Sequence, residues 1–488
     1  MSLAAPAPRS DEDPGAGSSR AAAIGRILGP ALAGVAVIAT HPALLGWGSL
    51  AADASWTLGV LVLMAVWWVT LAVEPAVTGL LPFVLFAALG IGKPAELAAP
   101  YANDVIFLFA GGALIGLALE RTGVSARFAA ALVGLAGNSP LRVLTALVVA
   151  TASLSAFVSN LATAATMLPL AMALGTRTAA SAQSAADRKA AGRFFTSLLL
   201  GVAFAASVGG TLTIIGTAPN AIAVEWLRSN GEPLDFIDWL RFSVPTVAVF
   251  LPMVIVVLGV WLFPARGLSV ATIEPMATPI GRDGGVVLAV FACTVLAWVT
   301  RPLYAQAFPS VTDGTIAVAA AVLLFLWRSA GHPTRRILPP EAFTQVPWRV
   351  LVLFGGGLCL ADTMQRSGLS SALGDLIASA GVLPALALLA ILVAAIVFAS
   401  EVASNTTLTA MVVPIVGALA PGLGVEATTL VIPAAFAASW AFALPVGTPP
   451  NALVYGTGKL RVQDMMRAGI VLDLLSIAVI VGMASLLL

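Results

Sequence analysis

Apolar runs long enough to cross a lipid bilayer recur along the chain from Pro30 to Leu488. A helix rises about 1.5 Å per residue, so roughly 17–25 apolar residues span the hydrocarbon core. Only 10% of the 488 residues are charged, and mean hydropathy is +1.01. A water-soluble domain carries about a quarter charged residues, because water must solvate its surface. Most of this surface therefore faces lipid, and the fold class is all-α integral membrane. The runs predict about 11 transmembrane helices, near 30–50, 58–73, 78–91, 104–120, 194–225, 244–264, 285–301, 313–328, 350–365, 429–458 and 468–488. Residues 1–29, rich in Ala, Pro, Ser and Gly, read as a disordered cytoplasmic tail, and 30–57 as the segment of the first transmembrane helix.

Two further apolar stretches, 143–175 and 385–420, each break near the middle at a Ser-Asn pair. Lipid cannot satisfy the backbone groups that such a break frees, so the break must be buried in protein or face a water-filled cavity. Both stretches are expected to be re-entrant hairpins whose tips stop partway through the membrane. An internal correspondence supports this reading. Phe109, Arg121, Ser159-Asn160 and Pro169 match Phe354, Arg366, Ser404-Asn405 and Pro414, every pair 245 residues apart. Farther on, Gly216-Thr-Ala-Pro-Asn220 matches Gly447-Thr-Pro-Pro-Asn451 at 231 residues, the polar loop around 175–193 having no equal in the second half. Two repeats follow, 58–264 and 285–488, each of five spans and a hairpin. An odd number of spans inverts the second copy.

Alternating sides from a cytoplasmic N-terminus leaves only Lys93, Arg228, Arg241, Arg301 and Arg366 outside, of 24 Lys and Arg residues. That bias toward the inside fits a multi-pass inner (plasma) membrane protein with its C-terminus outside. The segment after the first hairpin carries Arg177, Arg188, Lys189 and Arg193, whereas 417–428 has no Lys or Arg, as inverted copies require. A net charge of +1 gives no reason to expect a nucleic acid partner, and Cys293 and Cys359, both in apolar runs, imply neither a disulfide framework nor a metal site.

Four landmarks concentrate polar chemistry at membrane depth. They are the tips Ser155-Ala-Phe-Val-Ser-Asn160 and Ser400-Glu-Val-Ala-Ser-Asn-Thr406 and the two Gly-Thr-X-Pro-Asn breaks. Proline removes a donor and Gly permits unwound backbone, so each break frees carbonyls and amides. Freed carbonyls with Ser and Asn oxygens suit a small hard cation, and exposed helix N-termini suit an anion. Discontinuous half-helices at a repeat interface are a recurrent transporter design. For Gly112 and Gly116 the plainer reading is close helix packing.

Here the chain resembles the divalent anion:sodium symporters, carriers of dicarboxylates, citrate and sulfate. The tips are similar to that family's paired Ser-Asn-Thr signatures, and Leu444-Pro-Val-Gly-Thr-Pro-Pro-Asn-Ala452 to its C-terminal motif. The resemblance implies Na+ as the coupling ion, bound at one site by Ser155, Ser159, Asn160 and Gly216 and at another by Ser400, Ala403, Asn405 and Gly447. It places the substrate against Asn160, Thr217, Asn405, Thr406, Thr448 and Pro449. It further implies a homodimer in membrane lipid, with a fixed scaffold and an elevator-type transport domain, joined by amphipathic arms near 124–137 and 369–380. Leu161 stands where the signature has Thr, which removes a hydroxyl from the implied anion contact. Glu401 has no acidic counterpart, because Ala156 occupies the matching position, and it reads as a structural hydrogen-bond acceptor or a coupling residue. No Lys or Arg occurs in the four landmarks, so sodium, helix ends and neutral donors would meet the anion's charge. The function expected is sodium-coupled symport of small divalent anions, most of all C4-dicarboxylates. The alternatives are a sodium-independent exchanger or another ion transporter of the same fold and, from a different class, an intramembrane enzyme. The last is disfavoured because the apolar runs hold no His/Asp/Glu cluster for acid–base work.

Overall fold

The computed structural model describes residues 15–44, 50–232, 234–270, 280–330, 335–379 and 384–488. Among these, regular structure is helical apart from one isolated antiparallel bridge between Arg328 and Arg336. Among the described residues eight helices are long and apolar enough to cross a bilayer; seven coincide with expected runs and the eighth, Asn405–Leu423, is a hairpin arm. The runs at 78–91, 313–328, 350–365 and 429–458 hold no such helix. The run at 78–91 becomes two helices, Pro75–Thr78 and Leu81–Ala88, each opened by a proline, whose fixed φ and missing N–H suit a first turn. Helix Asp313–Leu326 has only 14 residues. The runs 194–225 and 429–458 each hold two helices separated by unwound backbone.

The N-terminal expectations are corrected at both ends. A helix occupies Gly15–Thr40, with the membrane-length stretch at Arg20–Thr40, and a second helix begins at Ala52. Alanine is the strongest helix former, and Ala21-Ala-Ala23 helps carry the helix back from Pro30 through residues 15–29, read as tail. Residues 1–14 of the expected tail lie outside the described residues. The polar loop expected at 175–193 also shrinks. Helix Asn160–Ala180 runs into it, and Ala185–Gly210 starts on a capping box in which Ser184 and Asp187 satisfy each other's backbone N–H.

Both hairpins form as helix–turn–helix units. Their arms are Pro140–Ser155 with Asn160–Ala180, and Ala385–Ser400 with Asn405–Leu423. Helices Val124–Gly134 and Leu369–Ser379 precede them at the positions of the expected arms. The unwound breaks fall between Ala185–Gly210 and Ala218–Ser229, and between Thr428–Ser439 and Pro449–Tyr455. The parts interlock across the halves. Helix Asn160–Ala180 packs against Pro449–Tyr455, and Asn405–Leu423 against Ala218–Ser229. In the latter contact the Trp226 ring occupies the space a side chain at Gly417 would need.

Two glycine-rich helices, Asp104–Arg121 and Trp348–Arg366, pack closely against their neighbours. Gly111 lies against the Ala317 backbone and Gly356 against the Gly79 carbonyl, closer than any Cβ allows. Gly112 takes in the Ile215 side chain, and Gly116 sits under the Phe157 carbonyl, where a Cβ would stand 2.9 Å away. The packing reading of Gly112 and Gly116 therefore holds. Phe109 and Phe354 meet edge to face with ring centroids 5.6 Å apart.

An ion-pair cluster ties together four helix ends that the alternation of spans places on one side. Arg228 reaches Asp104 (3.2 Å) and Asp313 (2.9 Å), and Arg301 lies 3.8 Å from Asp313. Thr312 donates its hydroxyl to Asp104. Beyond Val256 the helix Phe236–Val256 passes into a π-helical turn, Val257–Leu262.

Gly356→Ala should push helix Trp348–Arg366 away from Gly79 at the end of Pro75–Thr78, an overpacking cost of about 1–3 kcal/mol. We expect a melting temperature in detergent several degrees below that of the parent. Gly285→Ala, whose Cβ meets open space, should match the parent. Equal melting temperatures for both variants would contradict the packing described.

Candidate functional site

Each break is braced by an asparagine one turn farther along. Asn220 donates its amide to the carbonyls of Gly210 (3.0 Å) and Thr213 (2.7 Å). Asn451 donates to Ala441 (3.2 Å) and Leu444 (3.0 Å). Donor and both acceptors of the second set stand 231 residues after those of the first, so one local solution is built twice. Both asparagines are fully buried, and their Oδ1 atoms accept no hydrogen bond among the described residues. Helix Phe236–Val256 supplies two more donors to the first break. Trp239 Nε1 bonds the Thr211 carbonyl (3.0 Å) and the Ser243 hydroxyl that of Leu212 (2.6 Å). A carbonyl left unpaired there would cost about 1–3 kcal/mol.

The tips meet the breaks with opposite chemistry. At the first, the Thr213 hydroxyl donates to the Ala156 carbonyl. At the second, the Glu401 carboxylate accepts the N–H groups of Ala443 (2.8 Å) and Leu444 (2.7 Å). Glu401 corresponds to Ala156 and Leu444 to Thr213, so the same two positions touch in both halves. Asp473, buried on helix Val462–Leu487, accepts the next N–H, from Phe442 (3.2 Å). The hydrogen-bonding role expected for Glu401 is thus observed, on backbone donors.

Around the first tip the predicted residues converge. Ser155 is fully buried and its hydroxyl lies 2.9 Å from Asn160 Oδ1 and 2.7 Å from the Ala206 carbonyl. Asn160 Oδ1 presses on Gly210, where a Cβ would collide with it. A Cβ at Gly216 would strike the Gly210 carbonyl and stand 3.0 Å from the carbonyls of Ser155 and Ala156. Gly216 is therefore faced by three carbonyl oxygens from the tip and the break. Ser159 is exposed and caps the second arm, accepting from the Ala162 N–H at 3.4 Å. A cavity of about 290 Å³ opens beside the tip, lined by Gly116, Glu120, Phe157, Ser159 and Gly216.

Around the second tip, Ser400 is buried and donates to the Val397 carbonyl (2.7 Å). Ala403, Asn405 and Thr406 are half-buried, and Asn405 Oδ1 is a buried acceptor with no donor among the described residues. Gly447 lies under Glu401, where a Cβ would come within 2.9 Å of Oε2. Thr217 and Thr448 are the N-caps of the two post-break helices, and Thr448 Oγ1 accepts from the Asn451 N–H (3.3 Å). Leu161 and Pro449, one from each half, line a shared and largely apolar cavity of about 630 Å³ with Leu168 and Leu453. Sequence reading missed Asp473 and the bracing role of Asn220 and Asn451. A lone acid in the apolar run after residue 468 was the available signal for Asp473.

The model of the sodium:sulfate symporter transmembrane region matches residues 30–487. The chain belongs to that family. It is 34% identical over 470 residues to the sodium-dependent dicarboxylate transporter SdcS of Staphylococcus saprophyticus, covering 94% of this chain and 90% of that one. SdcS of Staphylococcus aureus is 33% identical over 478 residues, covering 94% and 89%. The crystal structure of the Alcanivorax borkumensis YdaH transporter shares the fold, with a TM-score of 0.55 at 16% identity over 85% of this symporter-family chain and 98% of the other.

Glu401→Ala should strip two buried N–H groups of their acceptor, at about 1–3 kcal/mol each. Glu401→Gln keeps one acceptor oxygen and turns an N–H₂ toward the second donor. We expect thermal stability to fall in the order parent, Gln, Ala. An alanine variant as stable as the parent would show that the carboxylate does not hold the loop.

Proposed function

We propose that this chain is a sodium-coupled secondary transporter of small divalent anions, C4-dicarboxylates above all, and not an enzyme. Family membership and the SdcS relatives over nearly the full length support sodium coupling and a dicarboxylate cargo. The observation that carries the reading is the oxygen cradle at the first tip. Carbonyls of Ser155, Ala156 and Gly210 face Gly216, with Asn160 Oδ1 beside them. An all-oxygen, uncharged donor set of this kind suits a small hard cation. The residues fit sodium as co-substrate, with Ser155, Asn160 and Gly216 holding one ion and Ser400, Ala403, Asn405 and Gly447 the other. Ser159 belongs to the first set by motif, through its backbone, since its hydroxyl caps a helix. Glu401 adds negative charge beside the second set.

Sodium binds first. It offsets the inward-pointing oxygens, fixes the tips against the breaks, and so completes an anion site formed by Asn160, Thr217, Asn405, Thr406, Thr448 and Pro449. The anion's two charges are then met by the ions, the post-break helix starts and neutral donors. The contact of Phe109 with its counterpart Phe354, and the twice-built asparagine brace, support two repeats related by a pseudo-two-fold axis. On this reading the hairpins and broken helices travel as an elevator against a scaffold in a homodimer, in the plasma membrane, with the N-terminus cytoplasmic and the C-terminus outside.

In proteoliposomes, an inward sodium gradient should drive succinate uptake and an equal potassium gradient should not. Uptake that ignores sodium would favour an exchanger. Asn160→Ala and Asn405→Ala should each abolish sodium-dependent uptake while eluting as folded protein. Parental uptake by both would remove the site from the tips.

A further inference from the structure

Two cavities adjoin where helix Ala185–Gly210 begins and the turn Val257–Leu262 ends. One, of about 440 Å³, is lined by Lys189, Arg193 and Arg266. The other, of about 410 Å³, is lined by Leu141, Leu144, Val260 and Phe263 and again by Arg266. A basic cleft and an apolar one thus share Arg266 as a common wall. We propose that this pair of cavities binds one anionic phospholipid, its phosphate against Lys189, Arg193 and Arg266 and an acyl chain along Leu141, Leu144 and Val260.

Four observations carry the proposal. None of the three cations forms an ion pair among the described residues, and the neighbouring Asp187 carboxylate is engaged by the Ser184 N–H. The cleft lies at a membrane surface, because Phe236–Leu262 ends there and Ala185–Gly210 begins there, both of membrane-crossing length. Trp261, 62% exposed beside the apolar cavity, is the residue type that concentrates at the headgroup level. Ser139 also lines the apolar cavity, at the N-terminus of Pro140–Ser155, where no side chain caps the free amides and the helix dipole favours a negative group.

A free phosphate would use only the basic half. A zwitterionic lipid would add an ammonium group to three cations. An anionic lipid matches both halves, and basic pockets between transmembrane helices on the cytoplasmic side take such headgroups. The ligand would bridge the base of the first hairpin, Ser139 to Leu144, to the spans on either side. If the hairpin moves in transport, as proposed above, lipid occupancy would tune it. The binding itself does not depend on that reading.

The test is native mass spectrometry of the full chain, released from detergent after incubation with phosphatidylglycerol or phosphatidylcholine of identical acyl chains. The parent should retain phosphatidylglycerol preferentially. The triple variant Lys189→Gln, Arg193→Gln, Arg266→Gln should lose that preference about ten-fold or more. Val260→Trp, which fills the apolar half, should weaken retention with every charge kept. All three side chains of the triple variant are exposed, and Arg266→Gln alone, with the parental melting temperature as a check on folding, should give a partial loss. Inorganic phosphate should not displace the lipid. Equal retention of the two lipids by the parent, an unaffected triple variant, or displacement by phosphate would each overturn the proposal. A parent that retains phosphatidylglycerol yet shows no sodium-driven uptake would count against the transport reading instead.

Discussion

Unwound backbone buried among apolar helices is the constraint on which the rest of this molecule depends. A helix that stops among tightly packed apolar segments leaves amides and carbonyls that need partners, and among the described residues two tips and two breaks are such stops. Every partner must come from the protein. Asn220 and Asn451 each serve two carbonyls of the preceding loop, Trp239 and Ser243 serve two more, and Glu401 and Asp473 accept three consecutive N–H groups. The breaks are therefore fixed in shape. Their remaining oxygens, Asn220 Oδ1 and Asn451 Oδ1 among them, are held in place without being used up.

The two halves solve this problem in related ways that are not identical. The asparagine brace recurs at equivalent positions with equivalent acceptors. The tip-to-break contact recurs at equivalent positions with reversed polarity, a hydroxyl donating to a carbonyl in the first half and two amides donating to a carboxylate in the second. Replacing Ala156's counterpart by Glu places a formal negative charge beside Gly447 and none beside Gly216. Two cation sites built on these loops would thus differ in electrostatics while sharing a backbone. The Leu161–Thr406 difference adds a second asymmetry, since Leu161 turns an apolar side chain toward Pro449.

The landmarks that fix the site were legible because they violate the apolar background. Ser-Asn pairs and Gly-Thr-X-Pro-Asn segments stand out in runs of Ala, Leu and Val, and their constant spacing ties them together. The tips, the breaks and the helices at 124–134 and 369–379 all form where the sequence places them. Helix ends were less legible. Hydropathy cannot distinguish one crossing helix from the two short ones opened by Pro75 and Pro82, and it undervalues alanine in a stretch such as 15–29 that is helical without being strongly apolar. Partnerships were least legible. Asp473 lies beside Phe442 and Arg228 beside Asp104 only after the chain has folded, and no local pattern announces either contact.

The cluster of Arg228, Arg301, Asp104 and Asp313 carries a consequence for motion. Arg228 ends the helix that follows the first break, while Asp104 and Asp313 begin helices outside the hairpin-and-break assembly. Two charges of each sign share a site in which Asp313 is wholly shielded from solvent. Should the assembly slide as an elevator, Arg228 has to let go of both carboxylates at the outset, stranding a shielded anion until Arg301 or water takes over. This quartet would then behave as a catch that sets how long the carrier dwells in the conformation described.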